Sequence, residues 1–495
     1  MLINFLSKKK QRQLAILQSL FTNTTNGFPY LVKEFDITEV QLTHDIEDIN
    51  KTVQTIAHQK LVDTSNKHNY TVNIDDIHLY QQLEFHYLND SLTFQICSEI
   101  ITHRHLPFNN LCDKLAISTS HCYRVLKQLN SILDQFNIVI TIDQHTVPVF
   151  TGNEINIRVF IFSFVKYCFP RTNWPFPTIS RAETISDFNL LSPNNKLAPS
   201  FAEEITLLLA VMKIRLSKSY FAEPMSEYVQ TLLQKFVVSD YNTFKSLFFQ
   251  KKMTDNNIIK VEFFYLNFFA HLLLPNLIEE NHAISLGTII SHSHLSADIF
   301  VNKLTAKWQE RFNLDLASDD LAKVKYFCLI FYVLAFHIHL NIIEILKSDA
   351  TFLNDKRTIN TAAMHDIRSF LTTTLPTIGH NNPCRDLPQD FAIDYFSNLF
   401  FFSTQTYKQQ QVTIYMHFAD YSVREFLKTK LKTIYTPLAV KTVDNINTAD
   451  IILTDTFDII VPNKKCIVIR NVFNPQELQT MLTAIDNSLF LSAKR

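Results

Sequence analysis

Residues 107–133 read PFNNLCDKLAISTSHCYRVLKQLNSIL, and residues 27–53 read GFPYLVKEFDITEVQLTHDIEDINKTV. The two stretches lie 80 positions apart, and apolar residues stay in register at that offset on both sides of them without a gap. Thr38 also aligns with Ser118, and Asp63 with Asp143. The first part of the chain is therefore predicted to contain one structural unit twice. Its apolar pairs are Ile16 with Ile96, Leu20 with Ile100, Leu31 with Leu111, Phe35 with Leu115, Ile37 with Ile117, Leu42 with Cys122, Ile46 with Leu126, Ile49 with Leu129, Val53 with Leu133, and Ile56 with Phe136.

Each copy has the layout of a winged helix-turn-helix unit. In the first copy, apolar spacing predicts helices over residues 8–22 and 29–35. Thr38, with Gln41 three residues later, matches a capping box that begins a third helix. Residues 60–63 and 70–74 then predict a hairpin, the wing. The second copy predicts helices over residues 91–102, 107–116 and 118–133, followed by a wing over residues 138–143 and 146–150 that Gly152 closes.

The third helix of such a unit packs one face on the other two helices and leaves its other face for the DNA major groove. The outward face carries Glu47 and Asp48 in the first copy, and Arg124 and Lys127 in the second. Phosphates attract cations and repel carboxylates, so the second copy is predicted to read the bases. Its predicted DNA-binding residues are Ser118, Thr119, Ser120, His121, Tyr123, Arg124, Lys127 and Gln128.

The first copy is predicted to add contacts to the DNA backbone. The residues expected to make them are Lys8, Lys9, Lys10 and Arg12, with Gln41 and His44 on the third helix. Two alternatives weigh against this hypothesis: winged-helix units also serve as protein contacts, and a run of lysines is often only solvated surface. Two tandem copies, one of them with a basic outward face, favour DNA.

Composition gives no general sign of nucleic-acid binding. The 495 residues carry a net charge of −1, so any DNA-binding surface has to be local. Only 4 residues are glycine, which favours a mainly helical chain over one with many tight hairpins and phosphate-binding loops. The hydrophobic fraction of 46% is typical of packed globular domains.

Cysteine usage and targeting signals indicate a cytoplasmic protein. The seven cysteines are scattered without C-x-x-C spacing, as expected for reduced thiols, and neither a metal nor a cofactor is predicted. No signal peptide is expected at the N-terminus. Residues 326–343 form an uncharged, apolar stretch, but its tyrosines, histidines and asparagine favour a helix buried in a protein core over a membrane span.

The rest of the chain divides into a helical middle and a small α/β end. A Pro- and Asn-rich stretch at residues 170–200 predicts a linker, and residues 201–370 predict long apolar helices. After a break at 372–390, short apolar runs alternate with helical patterns, which is typical of a parallel sheet. The predicted fold is mainly α and multidomain, with winged helix-turn-helix units at 1–75 and 76–169, helical bundles at 170–287 and 288–392, and an α/β domain at 405–495.

Several of these features resemble the Mga-like virulence and stress regulators of Gram-positive bacteria. The resemblance rests on the tandem units, on the segment LAISTSHCYR at 115–124, and on Gly152-Asn-Glu154 followed by Ile157-Arg158. It implies a transcription regulator, an activator or a global regulator, with two phosphotransferase-system regulation domains and a IIB-like C-terminal domain linked to dimerisation. Double-stranded DNA, a second copy of the chain and a phosphocarrier protein are the implied partners.

The resemblance also implies regulation by phosphorylation of histidines. The candidates are His271, His292, His294, His337, His339 and His365. The chain departs from the family pattern because the first predicted helix of the middle region, residues 205–216, contains no histidine. His337 and His339 lie in a very apolar segment, which favours core or pocket roles for both.

Enzymatic function is not expected. An active IIB domain takes phosphate on a cysteine directly after its first strand, whereas the corresponding loop here is Ala419-Asp-Tyr-Ser422. No H-E-x-x-H, G-x-S-x-G or P-loop motif occurs in the sequence. Two alternatives remain open: an RNA-binding antiterminator with the same regulation domains, which usually begins with a β-rich module, and a phosphotransferase component.

Overall fold

The chain builds the same succession of elements twice at its N-terminal end. The computed structural model describes residues 2–22, 28–65, 70–103, 106–169, 173–191, 199–249, 255–273, 278–338, 361–378, 389–407, 411–437, 439–456 and 464–491. The first succession is α1 (Lys8–Thr22), α2 (Phe28–Glu34), α3 (Glu39–Ala57), β1 (Val62–Asp63) and β2 (Thr71–Val72). Helix α4 (Ile77–Asn89) leads to the second: α5 (Leu92–Thr102), α6 (Phe108–Lys114), α7 (Thr119–Leu133), β3 (Ile138–Ile142) and β4 (Pro148–Gly152).

The turn before the third helix is the same in both copies. Asp36 and Ala116, which are 80 positions apart, both have left-handed backbones, with φ of 51° and 52°. The next residue closes the turn in each copy, since Ile37 N donates to Val32 O at 3.1 Å and Ile117 N donates to Cys112 O at 3.0 Å. A hydroxyl residue then caps each helix: Thr38 completes a capping box with Gln41, and Ser118 accepts a hydrogen bond from His121 N.

An asparagine on the third helix fixes the strand pair in both copies. Asn50 on α3 accepts from Val62 N at 2.9 Å and donates to Val62 O at 2.9 Å. Asn130 on α7, again 80 positions later, makes the same two bonds to Ile140, at 2.8 and 3.1 Å. Both strand pairs are antiparallel. The asparagine thus satisfies the two backbone groups of one strand residue that face the helix.

Burial agrees with the register of the repeat. In seven of the ten predicted apolar pairs both residues are buried, and the turn pairs Phe35 with Leu115 and Ile37 with Ile117 are partly buried in both copies. The seven are Ile16 with Ile96, Leu20 with Ile100, Leu31 with Leu111, Leu42 with Cys122, Ile46 with Leu126, Ile49 with Leu129, and Val53 with Leu133. Apolar burial of this kind is the main force that holds the three helices together.

Replacing Gly152 with alanine is expected to destabilise the β3–β4 hairpin. Gly152 has a φ of 138°, and a Cβ there would lie 2.9 Å from the carbonyl oxygen of Asn137 and 3.1 Å from Cγ2 of Ile138. A side chain in that conformation costs about 2 kcal/mol. Thermal unfolding should show the loss, with faster hydrogen exchange in the hairpin, while Gln144→Ala at the exposed tip should change little. An unchanged unfolding midpoint for Gly152→Ala would contradict the strain.

Helices make up the middle of the chain. They are α8 (Glu154–Cys168), α9 (Arg181–Leu191), α10 (Pro199–Ser217), α11 (Glu227–Gln234), α12 (Tyr241–Phe248), α13 (Asn256–Leu273), α14 (Glu280–His292), α15 (Ser296–Phe312) and α16 (Ser318–Val333). Helix α16 continues as a π-helical turn over Leu334–Ile338. Helix α9 lies within the stretch 170–200 that was expected to be only a linker, because its Thr184, Phe188 and Leu191 are buried although its apolar pattern is weak.

Among the described residues, one helix passes the length and composition test for a membrane span. It is Ser318–Ile338, and 72% of its most apolar window is buried inside the protein. Cys328, Leu329 and Val333 on this helix are buried. Burial inside the protein fits the core helix expected for residues 326–343, as far as Ile338.

The C-terminal region contains a small parallel sheet. After α17 (Thr361–Thr374) and α18 (Gln389–Tyr407) come β5 (Val412–His417), α19 (Tyr421–Ile434), β6 (Val440–Val443), β7 (Ile451–Thr454), β8 (Lys465–Val468) and α20 (Pro475–Leu491). The strand order is β6-β5-β7-β8, and all three pairings are parallel, as predicted. Its core includes Ile414, Leu427, Ile451, Leu453 and Met481.

The chain folds into two compact units. One comprises residues 1–282 with 333–355, and the other comprises residues 283–332 with 356–495. The described part of the first unit contains both repeats and the helices from α8 to α13. The described part of the second unit contains α15, α17, α18 and the parallel sheet.

Candidate nucleic-acid interface

Helix α7 separates an apolar face from a polar one. Its inward residues Cys122, Val125, Leu126, Leu129, Ile132 and Leu133 are buried. Seven of the eight predicted DNA-binding residues are exposed, namely Ser118, Thr119, Ser120, Tyr123, Arg124, Lys127 and Gln128, and His121 is partly buried. These eight residues are called the α7 face below. Helix packing, and not local propensity, decides which side is free, since the buried residues follow the helical period.

The α7 face has two cations that are not neutralised. Arg124 and Lys127 are both exposed, and within the described ranges neither forms an ion pair or a side-chain hydrogen bond. They are three residues apart, which places them side by side on the helix. The next cation toward α6, Lys114, is bound to Glu99 at 2.7 Å. A local positive surface therefore exists on a protein that is nearly neutral overall.

Tyr123 is exposed and also packs against an aromatic ring of α6. Its side chain is 56% exposed, and its ring centroid lies 4.6 Å from that of Phe108, at the start of α6. An aromatic contact of this kind is stabilising and favours one orientation of the ring. Tyr123 therefore presents a preformed polar and apolar surface beside Arg124.

The β3–β4 hairpin stands next to the α7 face, and its tip was not among the predicted site residues. Asp143 Oδ1 accepts from His145 N at 2.9 Å and from Val147 N at 2.8 Å, which shapes the turn. Thr146 O accepts from Phe108 N at 2.8 Å and anchors the tip to α6. Gln144 and His145 are exposed at this tip. Their position in a predicted hairpin loop was the sequence signal that could have identified them.

In the first copy, three of the four predicted cations are paired with carboxylates. Lys9 contacts Asp48, Lys10 Nζ lies 2.9 Å from Asp90 Oδ2, and Arg12 Nε lies 2.6 Å from Asp45 Oδ2. The hydrogen bond to Asp45 raises the pKa of Arg12, so its charge is permanent and is neutralised within the fold. Lys8 is exposed, and the described residues offer it no ion pair.

The outward face of α3 is acidic and partly occupied. Gln41 Oε1 accepts from Thr38 N at 3.0 Å as part of the capping box, so this side chain already has a partner. His44 Nδ1 lies 3.5 Å from Glu47 Oε2. The repeat thus places His44 and Glu47 at the positions that Arg124 and Lys127 hold in the second copy. The same scaffold has opposite charge on its two outward helices.

A carboxyl group in α4, the helix between the copies, has a shifted pKa. Burial raises the pKa of Glu84 to about 7, and the hydrogen bond with Tyr80 opposes that shift. The unfolded value is 4.5, so the stabilisation by the neutral carboxyl is complete below pH 4.5 and is lost as the pH rises through about 7. Groups near Glu84 include Tyr80 and Cys168.

Replacing Glu84 with glutamine is therefore expected to stabilise the protein at pH 8 and not at pH 4.5. The expected gain is about 2–3 kcal/mol, because the amide never has to ionise in its partly buried site. Chemical denaturation at the two pH values measures the difference. Glu39→Gln, which changes an exposed carboxyl at the start of α3, should give no such gain in stability at pH 8. Equal stabilisation at both pH values would mean that Glu84 ionises normally.

The histidine candidates differ in access. His271 on α13 is 1% exposed, and burial lowers its pKa to about 3, so its imidazole is neutral and shielded. Its ring lies 5.6 Å from that of His282, which was not among the candidates. His337 is partly buried, with its ring 5.6 Å from that of Tyr228. His292, His294 and His365 are exposed, and His339 lies outside the described residues.

Carboxylates accept hydrogen bonds from backbone amides of the loop after β5. Asp420 caps α19 by accepting from Ser422 N at 2.7 Å, and Asp455 accepts from Ala419 N at 3.1 Å. These are backbone amides of the kind that cradle a phosphate in a phosphate-binding loop. Cys466 is the second residue of β8 and is partly buried, away from the loop after β5 in the strand order.

Comparison with known protein families places α7 in a recognised domain. Residues 78–165 match the family model of the Mga helix-turn-helix domain. The match runs from α4 into α8 and includes α6, α7 and the β3–β4 hairpin. A search of curated proteins found no match to the chain.

Proposed function

Since residues 78–165 match the Mga helix-turn-helix domain, we propose that the protein is a DNA-binding transcription regulator. The α7 face enters the major groove of double-stranded DNA, and the β3–β4 hairpin acts as the wing of a winged helix-turn-helix unit. The observation that carries this proposal is the pair of exposed cations Arg124 and Lys127, which make no ion pair within the described ranges. Cations of this kind bind phosphates and displace counterions.

The proposed roles along α7 follow from the position of each residue. Thr119, Ser120 and Tyr123 lie in the N-terminal half of the helix, which reaches base edges in units of this type. Hydroxyl groups read donors and acceptors there, and the ring of Tyr123 can contact a thymine methyl group. Arg124, Lys127 and Gln128 contact phosphates or bases further along the helix. Phosphate contacts set the register, and base contacts give the specificity.

The first copy is proposed to contribute less to DNA binding. Its Lys9, Lys10 and Arg12 are bound to Asp48, Asp90 and Asp45, so phosphate contacts would have to compete with these ion pairs. Lys8 is the cation there with the fewest constraints. The first copy is accordingly assigned backbone contacts at most, and the second copy supplies the sequence readout.

We further propose that the protein acts as a homodimer through its C-terminal domain. Phe473 is 76% exposed and Phe426 is 40% exposed, and their ring centroids lie 5.6 Å apart. Two neighbouring exposed aromatic rings favour a protein contact, and a second copy supplies the same surface by symmetry. Phe426→Ser/Phe473→Ser should halve the mass measured in solution. An unchanged mass would remove this surface from the dimer interface.

Regulation by a phosphotransferase-system phosphocarrier is also proposed, with the central helices as regulation domains. His292, His294 and His365 can be reached by a donor protein, whereas the burial of His271 disfavours it. A phosphoryl group adds about two negative charges and alters association at a nearby face. Mass spectrometry after incubation with a phosphorylated carrier protein would locate it. A chain that takes up no phosphoryl group would refute this regulation.

Cross-linking from matched positions of the two repeats tests the DNA-binding proposal. Ser120 on α7 and Val40 on α3 are equivalent by the 80-residue offset, and both are exposed. A photo-reactive benzoylphenylalanine at position 120 of the full chain should cross-link to an AT-rich duplex, and one at position 40 should cross-link much less. Cross-linking from position 40 alone would assign the readout to the first copy. Absence of both cross-links, with no binding by the wild type, would refute the function.

A further inference from the structure

Four buried charged side chains form a network behind the β3–β4 hairpin. They are Glu154 and Arg158 on α8, Arg215 on α10 and Glu262 on α13, and each is at most 6% exposed. Glu154 accepts from Arg158 Nε at 2.9 Å and from Arg215 Nη2 at 2.6 Å. Arg158 Nη2 donates to Glu262 Oε1 at 3.0 Å, and Arg158 Nη1 contacts the other oxygen. Two positive charges balance two negative ones.

The network also holds the segment between α10 and α11. Arg158 Nη2 donates to Tyr220 O at 3.0 Å, and Glu262 Oε1 accepts from Ala222 N at 2.7 Å. The guanidinium of Arg215 lies 4.0 Å from the centre of the Tyr220 ring. Three helices and one connecting segment are thus joined by a single group of hydrogen-bonded charges.

Helix α8 connects this network directly to the DNA-binding elements. Its first residue, Glu154, is two positions after Gly152, the end of β4. Asn153 caps α8 by accepting from Ile155 N at 2.9 Å. Asn156 Nδ2 donates at 3.0 Å to Phe136 O, in the helical turn that follows α7. Arg215 and Tyr220 line a small cavity together with Pro148 and Phe150 of β4. A shift of α8 would therefore move both the hairpin and the end of α7.

A buried ion network is a poor source of net stability, because removing four charges from water costs about as much as their attraction returns. Apolar side chains of similar volume would hold these helices together equally well. What the charges add is one defined geometry, since each hydrogen bond has a fixed direction. Arg158 makes a fork with Glu262, which fixes α8 against α13. Glu154 on the same helix pairs with Arg215, which fixes α8 against α10.

We propose that Arg158 and Glu262 are positioning residues for DNA binding. They hold α7 and the hairpin in one orientation on α10 and α13, so that a conformational change in these helices changes the affinity for DNA. This inference rests on the proposed function, because it concerns how a DNA-binding unit is controlled. A movement of α10 or α13 would thereby be transmitted through α8 to the DNA-binding face.

A double-mutant cycle separates positioning from stability. In the full chain, Arg158→Met and Glu262→Leu should each lower the unfolding midpoint, since each leaves a buried charge without its partner. The double variant should be more stable than either single variant, because it removes both charges and keeps the pair of Glu154 with Arg215. It should stay somewhat below the wild type, because Ala222 N and Tyr220 O lose their partners. Its DNA affinity should nevertheless stay about tenfold below that of the wild type, and the amides of β3 and β4 should exchange faster.

An ion pair elsewhere on α10, the helix that carries Arg215, provides the control. Lys213 on α10 contacts Asp187 on α9 and touches no member of the network in the described structure. Lys213→Met/Asp187→Leu should leave the DNA affinity and the exchange of β3 and β4 as in the wild type. A double variant at 158 and 262 that regains stability, DNA affinity and slow exchange together would overturn the positioning role. If the wild type bound no duplex, the proposed function would fall, while the exchange of β3 and β4 would still decide whether the network orients the hairpin.

Discussion

Replacing Gly287 with alanine is expected to lower the unfolding temperature of the protein by about 10 °C. Gly287 lies on α14, where the helix passes directly over the backbone of Ala322 on α16. A Cβ at this position would lie 1.9 Å from Ala322 O and 2.4 Å from its carbonyl carbon. The obstacle is backbone, so no side chain can rotate away, and the two helices have to separate. Overpacking of this kind costs about 3 kcal/mol or more.

Helix propensity opposes the clash at position 287, since alanine is a better helix former than glycine by about 1 kcal/mol. The clash exceeds that gain, so the net change is destabilising. Ser285→Ala, an exposed position on the same helix, has no clash and should be neutral or slightly stabilising. Thermal unfolding of the three full-length proteins gives the comparison. A Gly287→Ala protein as stable as the wild type would mean that α14 and α16 do not approach this closely.

Replacing Arg124 and Lys127 together with alanine is expected to weaken DNA binding about 10- to 100-fold at moderate salt. Both side chains are exposed and, in the part of the chain that the structure describes, neither is shared with a carboxylate. Their full charge is therefore available to phosphates. Stability should hardly change, because both side chains lie on the solvent side of α7 and the buried face is untouched.

The matched control lies on the first repeat. His44 and Lys51 are exposed on α3, and His44 is the positional equivalent of Arg124. His44→Ala/Lys51→Ala should leave DNA affinity nearly unchanged, since the acidic outward face of α3 already repels phosphates. Fluorescence anisotropy with a labelled AT-rich duplex measures both variants. Equal losses in the two variants would assign the same weight to both copies.

Much of the N-terminal architecture could be predicted because the same pattern of apolar and capping residues occurs twice in the sequence. The offset of 80 residues aligned Ile49 with Leu129 and Thr38 with Ser118, and burial and capping follow that alignment. The same offset would have found Asn50 and Asn130, whose amides hold the strand pairs. An asparagine that recurs at the same position of an apolar helix face is a strong sequence signal for such a bond.

The electrostatic pairing could not be predicted from spacing. Lys10 and Asp90 are 80 residues apart, and Arg12 and Asp45 are 33 apart, so only the packing of α1 on α3 and α4 brings them together. The cations and carboxylates of the first copy could be read from the sequence, but the ion pairs between them could not. The same holds for Arg158 and Glu262, which are 104 residues apart.

The C-terminal sheet was predictable in its strands and parallel pairing, because buried parallel strands are apolar throughout and helices alternate with them. Ile451–Thr454 is one such strand, with all four residues buried. The division into five domains stays a prediction. Helix α14 (Glu280–His292) runs across its proposed boundary at residue 287, where helical periodicity continues and composition shows no change.

The salt dependence of DNA binding tests the central claim most directly. Each phosphate contact releases about one counterion, so the logarithm of the association constant falls with the logarithm of the salt concentration, with a slope set by the number of contacts. The slope for Arg124→Ala/Lys127→Ala should be shallower than the wild-type slope by about two. Identical slopes for the variant and the wild type would mean that α7 does not contact the phosphates, and the assignment of the DNA-binding face would be wrong.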